Sequence, residues 1–457
     1  MIMDEVLISL KKLANSKELF ELRRGLGQGS ELYIVGGSVR DCINKVLKKD
    51  SGKIKTDIDV ASKLRPNDIK ERLERAGVRV VDTGITHGTL TAVINGIQIE
   101  ITTFREASAR NESRFSNSIE EDLAGRDFTI NAIAYDIERG SLIDLFGGIK
   151  DLQAGVLRCV GKARERLNED PLRLLRAVRF GVAQGRLMDE ELVQSIKELA
   201  PKINDVSVER VRDEFSKILV SPNPKEGVQF LLDSGLLAQF IPEILPCVGF
   251  EQNEYHIHDV FGHILDVLAD TPPDLILRLV AFFHDIGKPA TLSVDENNRR
   301  HFYCHETKSV ELCKQVMNRL KYSNDEIHLV SLLVAEHMRT FTCGAAGVRR
   351  IIRDLGEAID LWLVLKRADK SPTMPQDEFD KQLNDFQELL DQEREKLKEP
   401  SYGKLAVNGD DILALGIKAS PLVGEILRSL EEVVLEDPSQ NKKDILLQKA
   451  KDIAELK

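Results

Sequence analysis

Tyr33-Ile34-Val35 reads as a buried strand, and it runs without a spacer into Gly36-Gly37-Ser38-Val39-Arg40-Asp41. Thr56-Asp57-Ile58-Asp59-Val60 follows shortly after, with the acids alternating as on a second strand. A strand that opens onto a glycine pair and a helix, next to an acidic strand, ties this part of the chain to an α/β arrangement. The glycine pair lets backbone N–H groups close on a phosphate, and the helix behind it aims its positive end there. Arg40 adds a planar fork of donors. Asp57 and Asp59 project from one strand face. Two such carboxylates repel unless a divalent cation sits between them. A glycine-cradled phosphate with an Asp-x-Asp metal site is the minimal equipment for nucleotidyl transfer with two metals. Each half alone has a plainer explanation, a turn and a solvated strand end. Their order and closeness favour an active site.

Residues 1 to about 155 alternate helix and strand signals. Gly88 to Gly96 is a strand closed by Asn95-Gly96, and Ile97-Gln-Ile-Glu-Ile-Thr-Thr103 alternates strictly as the returning hairpin arm. Glu100 lies on that arm, either as a third carboxylate for the metals or as an ordinary polar strand position. From about residue 160 the pattern is helical at 3.6 spacing almost without interruption, broken near Pro201, Pro222, Pro242, Pro272, Pro372 and Pro400. Residues 377–398 read as a charged amphipathic helix.

A second chemical group begins at Glu120. Arg126, Asp127 and Asn131 sit where a loop enters a helix, close enough to flank one ligand, and an arginine, an acid and an amide suit a ribose and a triphosphate. Glu169-Asp170-Pro171 then opens a helix, with Pro171 as its expected first residue and Glu169-Asp170 readable as a cap. Arg173, Arg176 and Arg179 recur every third position as a basic ridge, which calls for an anionic or hydrogen-bonding partner.

At 457 residues the chain exceeds one ordinary core, so about two to four domains are expected. The net charge of −11, from 64 basic and 75 acidic residues, excludes a globally basic nucleic-acid binder; an RNA partner must meet a local positive strip. The six scattered cysteines form no CxxC pair, which argues against a disulfide framework and a cysteine zinc site. No signal peptide and no apolar run of transmembrane length are seen, so a cytoplasmic protein with no membrane partner is expected.

The order GGSVRD, DID, EEDLxxRDFTINA, DxFGG…GVLR, EDPLRLLRAVRF and Val206-Ser-Val-Glu209-Arg210-Val-Arg-Asp-Glu214 resembles the class II tRNA nucleotidyltransferases, the bacterial CCA-adding enzymes and their poly(A) polymerase relatives. The likeness runs from about residue 30 to 240. It implies an α/β head of DNA-polymerase-beta-like nucleotidyltransferase type, followed by a mostly α-helical neck, body and tail. The expected divisions are 1–155 for the head, 156–250 for the neck, 251–375 for a further helical domain and 376–457 for the tail. By the resemblance Asp57 and Asp59 hold Mg2+. Gly36, Gly37, Arg40, Arg126, Asp127 and Asn131 meet the sugar and phosphates, with Arg176 and Arg179 beside them. Asp170 and Arg173 read the base. C and A both offer an amino group beside a ring acceptor, so one carboxylate and one guanidinium accept both and reject U and G.

The implied reaction adds C and A to the tRNA 3′ end from CTP and ATP. Two features depart from the family pattern. Gly125 precedes Arg126 where a second arginine is usual, and the stretch from Phe104 to Glu120 is short. A trimmed loop is the pattern of members that add only CC, and A-adding and poly(A)-polymerase members are further alternatives.

Many of the nine histidines cluster. His263, His284-Asp285, His305, His337 and Asp369 resemble the motif set of HD phosphohydrolases. That set implies a divalent metal of unspecified identity, with phosphatase or cyclic phosphodiesterase chemistry; a degenerate domain that only packs is the alternative. A pure HD hydrolase with a vestigial head is the reading from a different class, and the acids at Asp57 and Asp59 argue against it.

Overall fold

The computed structural model describes residues 2–47, 58–84, 88–106, 115–252, 258–370, 374–398 and 404–455. Asp57 lies outside the described residues, as do residues 107–114 of the short loop. The chain divides into two compact units, Met1–Pro242 and Glu243–Lys457.

In the first unit, α1 (Ile2–Ala14) and α2 (Lys17–Leu26) precede β1 (Leu32–Val35), which is buried along its whole length. Helix α3 (Gly36–Leu47) starts at the next residue. It turns Val39, Cys42 and Ile43 inward, at the spacing of an apolar stripe. β2 (Ile58–Ser62) pairs antiparallel with β1. α4 (Pro66–Arg75) leads to β3 (Arg79–Gly84), β4 (Thr89–Ile94) and β5 (Ile97–Thr103). Asn95 and Gly96 both take positive φ, 52° and 80°, as the two-residue hairpin turn between β4 and β5 requires. β6 (Ala134–Asp136) and β7 (Ser141–Ile143) complete a seven-stranded sheet in the order β3-β4-β5-β2-β1-β6-β7. Only β2 and β5 run parallel among these pairings, with Asp59 directly opposite Glu100. Tyr33, Val35, Ala61, Phe104, Ile119 and Leu123 form an apolar cluster under the sheet.

Short helices α5 (Ile119–Ala124), α6 (Gly148–Ala154) and α7 (Ala163–Glu169) connect to α8 (Leu172–Phe180), α9 (Glu190–Leu199), α10 (Val208–Leu219) and α11 (Pro224–Asp233). The architecture is thus an α/β head followed by helices. The expected helical run is interrupted by two small ladders, β8 (Val156–Leu157) with β9 (Leu187–Met188), and β10 (Ser293–Val294) with β11 (Arg300–His301). Strands of two residues are too short to carry a readable alternation.

The second unit is helical apart from β10 and β11 among its described residues. Helices Val260–Asp270, Leu275–Phe283, His305–Arg319, Asn324–Ala335 and Ile359–Ala368 surround a histidine cluster. The amphipathic helix expected at 377–398 spans Gln376–Lys396; its Glu393 is buried and paired with Arg349 at 2.7 Å.

Candidate active site and a second histidine centre

A cavity of about 1320 Å3 opens in the first unit, where the C-terminal end of β1, the β2–β5 pair and helix α8 converge. Gly36 and Gly37 form its floor. A Cβ on Gly37 would stand 2.8 Å from Asp59 Oδ2, and one on Gly36 2.9 Å from Arg126 Nη1. Gly36 also has φ of 58°, which glycine adopts without strain. The glycine pair therefore lets a carboxylate and a guanidinium approach the backbone where α3 begins. Ser38 locks the strand to this turn, its Oγ accepting the Asp59 N–H at 2.8 Å.

Asp59 is largely enclosed. Burial pushes its carboxyl above the ordinary aspartate range, against the pull of Arg126. With Glu100 opposite it on β5, two carboxylates share one strand pair, both on the cavity wall. Two neighbouring carboxylates on one cavity wall are oxygen donors of the kind that a divalent cation takes. Asp57, its expected companion, lies outside the described residues.

Arg126, Asp127 and Asn131 are brought together, but as a network. Arg126 donates Nε and Nη2 to Asp122 Oδ2 at 3.2 and 3.0 Å. Asp127 Oδ1 accepts from Asn131 Nδ2 at 3.0 Å and from the Phe128 N–H at 2.8 Å. Its Oδ2 takes Arg176 Nε at 2.8 Å and Nη2 at 2.7 Å. Burial alone would raise the Asp127 pKa; Arg176 and these hydrogen bonds outweigh it and hold the value at about 2. Asn131 Oδ1 in turn accepts Arg40 Nη1 at 2.6 Å. Asp127 is the hub of this network, with both carboxylate oxygens engaged by protein donors.

The arginine ridge on α8 has the anionic partners that its charge calls for. Arg173 bonds Glu169 Oε2 at 2.8 Å, the Arg166 carbonyl at 2.8 Å and the Gly125 carbonyl at 3.1 Å. Arg179 Nε meets Glu214 Oε2 at 2.5 Å, and Arg176 shares that carboxylate at 3.8 Å. Arg40, Arg176 and Arg179 also crowd the Phe180 ring at 4.7, 5.2 and 3.9 Å. The helix begins at Leu172, so Pro171 caps it and is not its first residue. Asp170 Oδ1 accepts the Leu172 N–H at 3.2 Å in a cap-like bond, and its Oδ2 takes Arg210 at 2.9 Å. Asp170 and Arg173 both line the cavity, each with its own partner.

Sequence reasoning missed Ser38, Asp122, Phe180 and the pairing roles of Arg210 and Glu214. Arg210 and Glu214 lie within a quoted motif and Phe180 ends another. Which cation each acid or ring would meet depends on contacts between segments distant in the chain.

The second unit gathers all six expected histidine-centre residues. His284 and Asp285 follow an apolar helix, His305 starts another, and Asp369 ends a third. Gly287 lies so close to the His305 helix that a Cβ would come within 2.6 Å of the His305 carbonyl. Nδ1 of His284, His305 and His337 faces the carbonyls of Ala281, Phe302 and Val334 at 2.9, 2.8 and 2.7 Å. Those bonds turn the Nε2 lone pairs inward. His263 Nε2 and His284 Nε2 are 3.3 Å apart, and His305 Nε2 and His337 Nε2 are 3.1 Å apart. Asp285 sits between the pairs, Oδ2 at 3.3 Å from His284 and Oδ1 at 3.2 Å from His305. Asp369 Oδ1 completes the first group at 3.0 Å from His263. Burial opposes charge on His284, yet Asp285 and Asp369 raise its pKa; burial lowers that of His337. Inward-facing nitrogens and two carboxylates, three donors to a group, fit divalent cations.

Comparison with known proteins follows this geometry. Residues 32–158 match the poly(A) polymerase head domain, 188–247 a probable RNA- and SrmB-binding site of polymerase A, and 301–450 a putative second domain of tRNA nucleotidyltransferases. The chain is 31% identical to a CCA-adding enzyme of Ligilactobacillus salivarius over 446 residues, 94% of each protein. It is 33% identical to an A-adding tRNA nucleotidyltransferase of Deinococcus radiodurans over 330 residues, covering 69% of this chain and 75% of that one. The crystal structure of the Bacillus stearothermophilus CCA-adding enzyme in complex with CTP superposes with a TM-score of 0.73 at 25% identity, over 96% of this chain and 98% of the other. A polymerase-type head with a glycine turn, acidic strands and an arginine-lined wall defines a nucleotidyltransferase. The chain belongs to the class II family of CCA-adding enzymes and related tRNA nucleotidyltransferases. Among the described residues no helix is long and apolar enough to cross a membrane.

Proposed function

We propose that this enzyme adds C and A to the 3′ end of tRNA, using CTP and ATP, with the cavity of the first unit as its active site. The observation that carries the reading is the convergence of Gly36, Gly37, Asp59, Arg126, Asp170 and Arg173 on that one cavity. The tRNA 3′-hydroxyl oxygen forms a bond to the α-phosphorus, the bond from that phosphorus to the β-phosphate's bridging oxygen breaks, and pyrophosphate leaves. Asp57 and Asp59 would hold two Mg2+ ions, with Glu100, opposite Asp59 on β5, as a further carboxylate; the ions would supply acidification of the hydroxyl and charge stabilisation on pyrophosphate. The α3 N-terminus and Arg126 receive the phosphates. Asp127 holds Arg176 and Asn131 in place. Asp170 accepts from the base amino group and Arg173 donates to the ring acceptor. Both side chains have protein partners here, so the base must replace Arg210 on Asp170. The head spans 1–155 and the base-reading and RNA-binding neck 156–250. Incubating the protein with tRNA that lacks its 3′ end, with each nucleotide in turn, and sizing the product tests the assignment; no incorporation of CMP or AMP overturns it.

The histidine centre supports a second activity within the 251–375 segment, ahead of a helical tail at 376–457. His263, His284 and Asp369 would hold one divalent ion, His305 and His337 another, with Asp285 between them. Such a centre supplies a metal-activated water for phosphoester hydrolysis. Metal content measured in wild-type protein and in Asp285→Ala tests it; equal content in both counts against the centre.

A further inference from the structure

Seven arginines line the cavity, and six have a carboxylate partner: Asp41 for Arg40, Asp122 for Arg126, Glu169 for Arg173, Asp127 for Arg176, Glu214 for Arg179 and Asp170 for Arg210. Arg105 differs. Among the described residues its guanidinium makes one hydrogen bond, Nη2 donating to the Thr89 hydroxyl at 3.1 Å. Its backbone is fixed, however. The Arg105 N–H donates to Asp122 Oδ1 at 3.2 Å, Arg105 bridges to Phe115, and the preceding Phe104 is fully buried in the core.

Asp122 therefore organises two cations. Its Oδ1 fixes the Arg105 backbone, and its Oδ2 holds the Arg126 guanidinium. One carboxylate thus positions two arginines of the cavity wall, one through its backbone and one through its guanidinium. Arg105 is exposed on the cavity wall and has no ion partner among the described residues, so its guanidinium is open to an anion from outside the protein. Gly125 supplies no cation on this side; it contributes its carbonyl to Arg173.

We propose that Arg105 is a substrate-binding residue that takes the triphosphate of the incoming nucleotide together with Arg126. A phosphate of the RNA backbone offers the same chemistry. The nucleotide is favoured because Arg126, which shares Asp122, lies against the glycine turn that receives the phosphates. The inference rests on reading this cavity as the nucleotide site.

The test uses the full chain and three probes: CTP, inorganic pyrophosphate and tRNA lacking its 3′ end. Arg105→Ala should raise the KM for CTP and the inhibition constant of pyrophosphate about tenfold or more, as expected for a lost charge-assisted contact. Its affinity for tRNA should stay within about twofold, and Arg105→Lys should recover part of the loss, since it keeps the charge without the fork. Unchanged pyrophosphate inhibition in a folded Arg105→Ala protein overturns the proposal. So does weakened tRNA binding with unaltered CTP and pyrophosphate values, which would assign Arg105 to the RNA backbone. If Arg105→Ala does not fold, Arg105→Lys decides alone, by a raised or an unaltered pyrophosphate constant. Wild-type protein that neither incorporates CMP nor is inhibited by pyrophosphate indicts the site assignment itself, whatever Arg105 does.

Discussion

Asp59 combines a half-buried carboxylate with a second acid, Glu100, at the same level of the adjoining strand. Neutralising it should separate stability from activity. Asp59→Asn is expected to lower CMP incorporation by about a thousandfold, the weight of several kcal/mol of lost phosphoryl stabilisation. In metal-free buffer the same variant should melt no lower than wild type, because the site disfavours the Asp59 charge. Near wild-type incorporation would remove Asp59 from the active site. Asp170 and Arg173 make a different test. Arg173→Ala and Asp170→Ala should admit UTP or GTP at reduced overall rate, read by incorporation of all four nucleotides. If Asp170 only caps α8, the substitution costs about 1 kcal/mol and nucleotide preference is unmoved. Asp127 is a stability residue with a defined pH range. Its pKa falls from 3.8 to about 2 on folding, so its contribution is complete above the unfolded value and fades as pH falls towards the folded one. Asp127→Asn should therefore cost about 3 kcal/mol at neutral pH, by leaving Arg176 short of its counter-charge, and clearly less near pH 2. Urea unfolding at the two pH values measures the difference.

At the scale of elements, the junction of β1 and α3 is the sensitive joint. No residue separates strand from helix, and the glycine pair admits Asp59 Oδ2 and Arg126 Nη1 to within 3 Å of a built Cβ. Gly37→Ala is expected to push Asp59 aside and cut incorporation at least about tenfold, while the apolar face of α3 keeps the helix packed. Wild-type turnover by this variant would show that the close approach is not needed. Much of this element was legible in the sequence. The apolar run before Gly36-Gly37, the Asn95-Gly96 turn and the alternation of β5 are local signals, set by steric limits within a few residues. The two-residue ladders were not legible, because two residues carry no readable alternation, and the partners in β8 and β9 also lie some 31 positions apart.

At the scale of the molecule, the two chemical centres belong to separate compact units. His284→Ala should abolish metal-dependent phosphohydrolase activity and leave nucleotide addition near wild type; loss of both in a folded protein would contradict the partition. The short segment between Phe104 and Glu120 bears on the product. A loop that must reach the nucleotide pocket loses reach as it shortens. If the purified protein stops at CC with ample ATP, a longer family loop grafted there should restore A addition; completion of CCA unaided removes the loop argument.

The sequence by itself determined the class of fold and named many of the residues that line the cavity and the histidine cluster. The glycine pair, the acidic strand and the arginine and histidine motifs are chemical commitments written in residue type and order. It did not determine who pairs with whom. The ridge of Arg173, Arg176 and Arg179 called for partners that its spacing could not name, because two of them, Asp127 and Glu214, lie 49 and 35 positions away. Arg105 stands out only in the fold, where it lines the cavity with no ion partner among the described residues. Whether a charge is satisfied depends on distances across the tertiary structure, since Coulomb attraction and desolvation act through space and not along the chain.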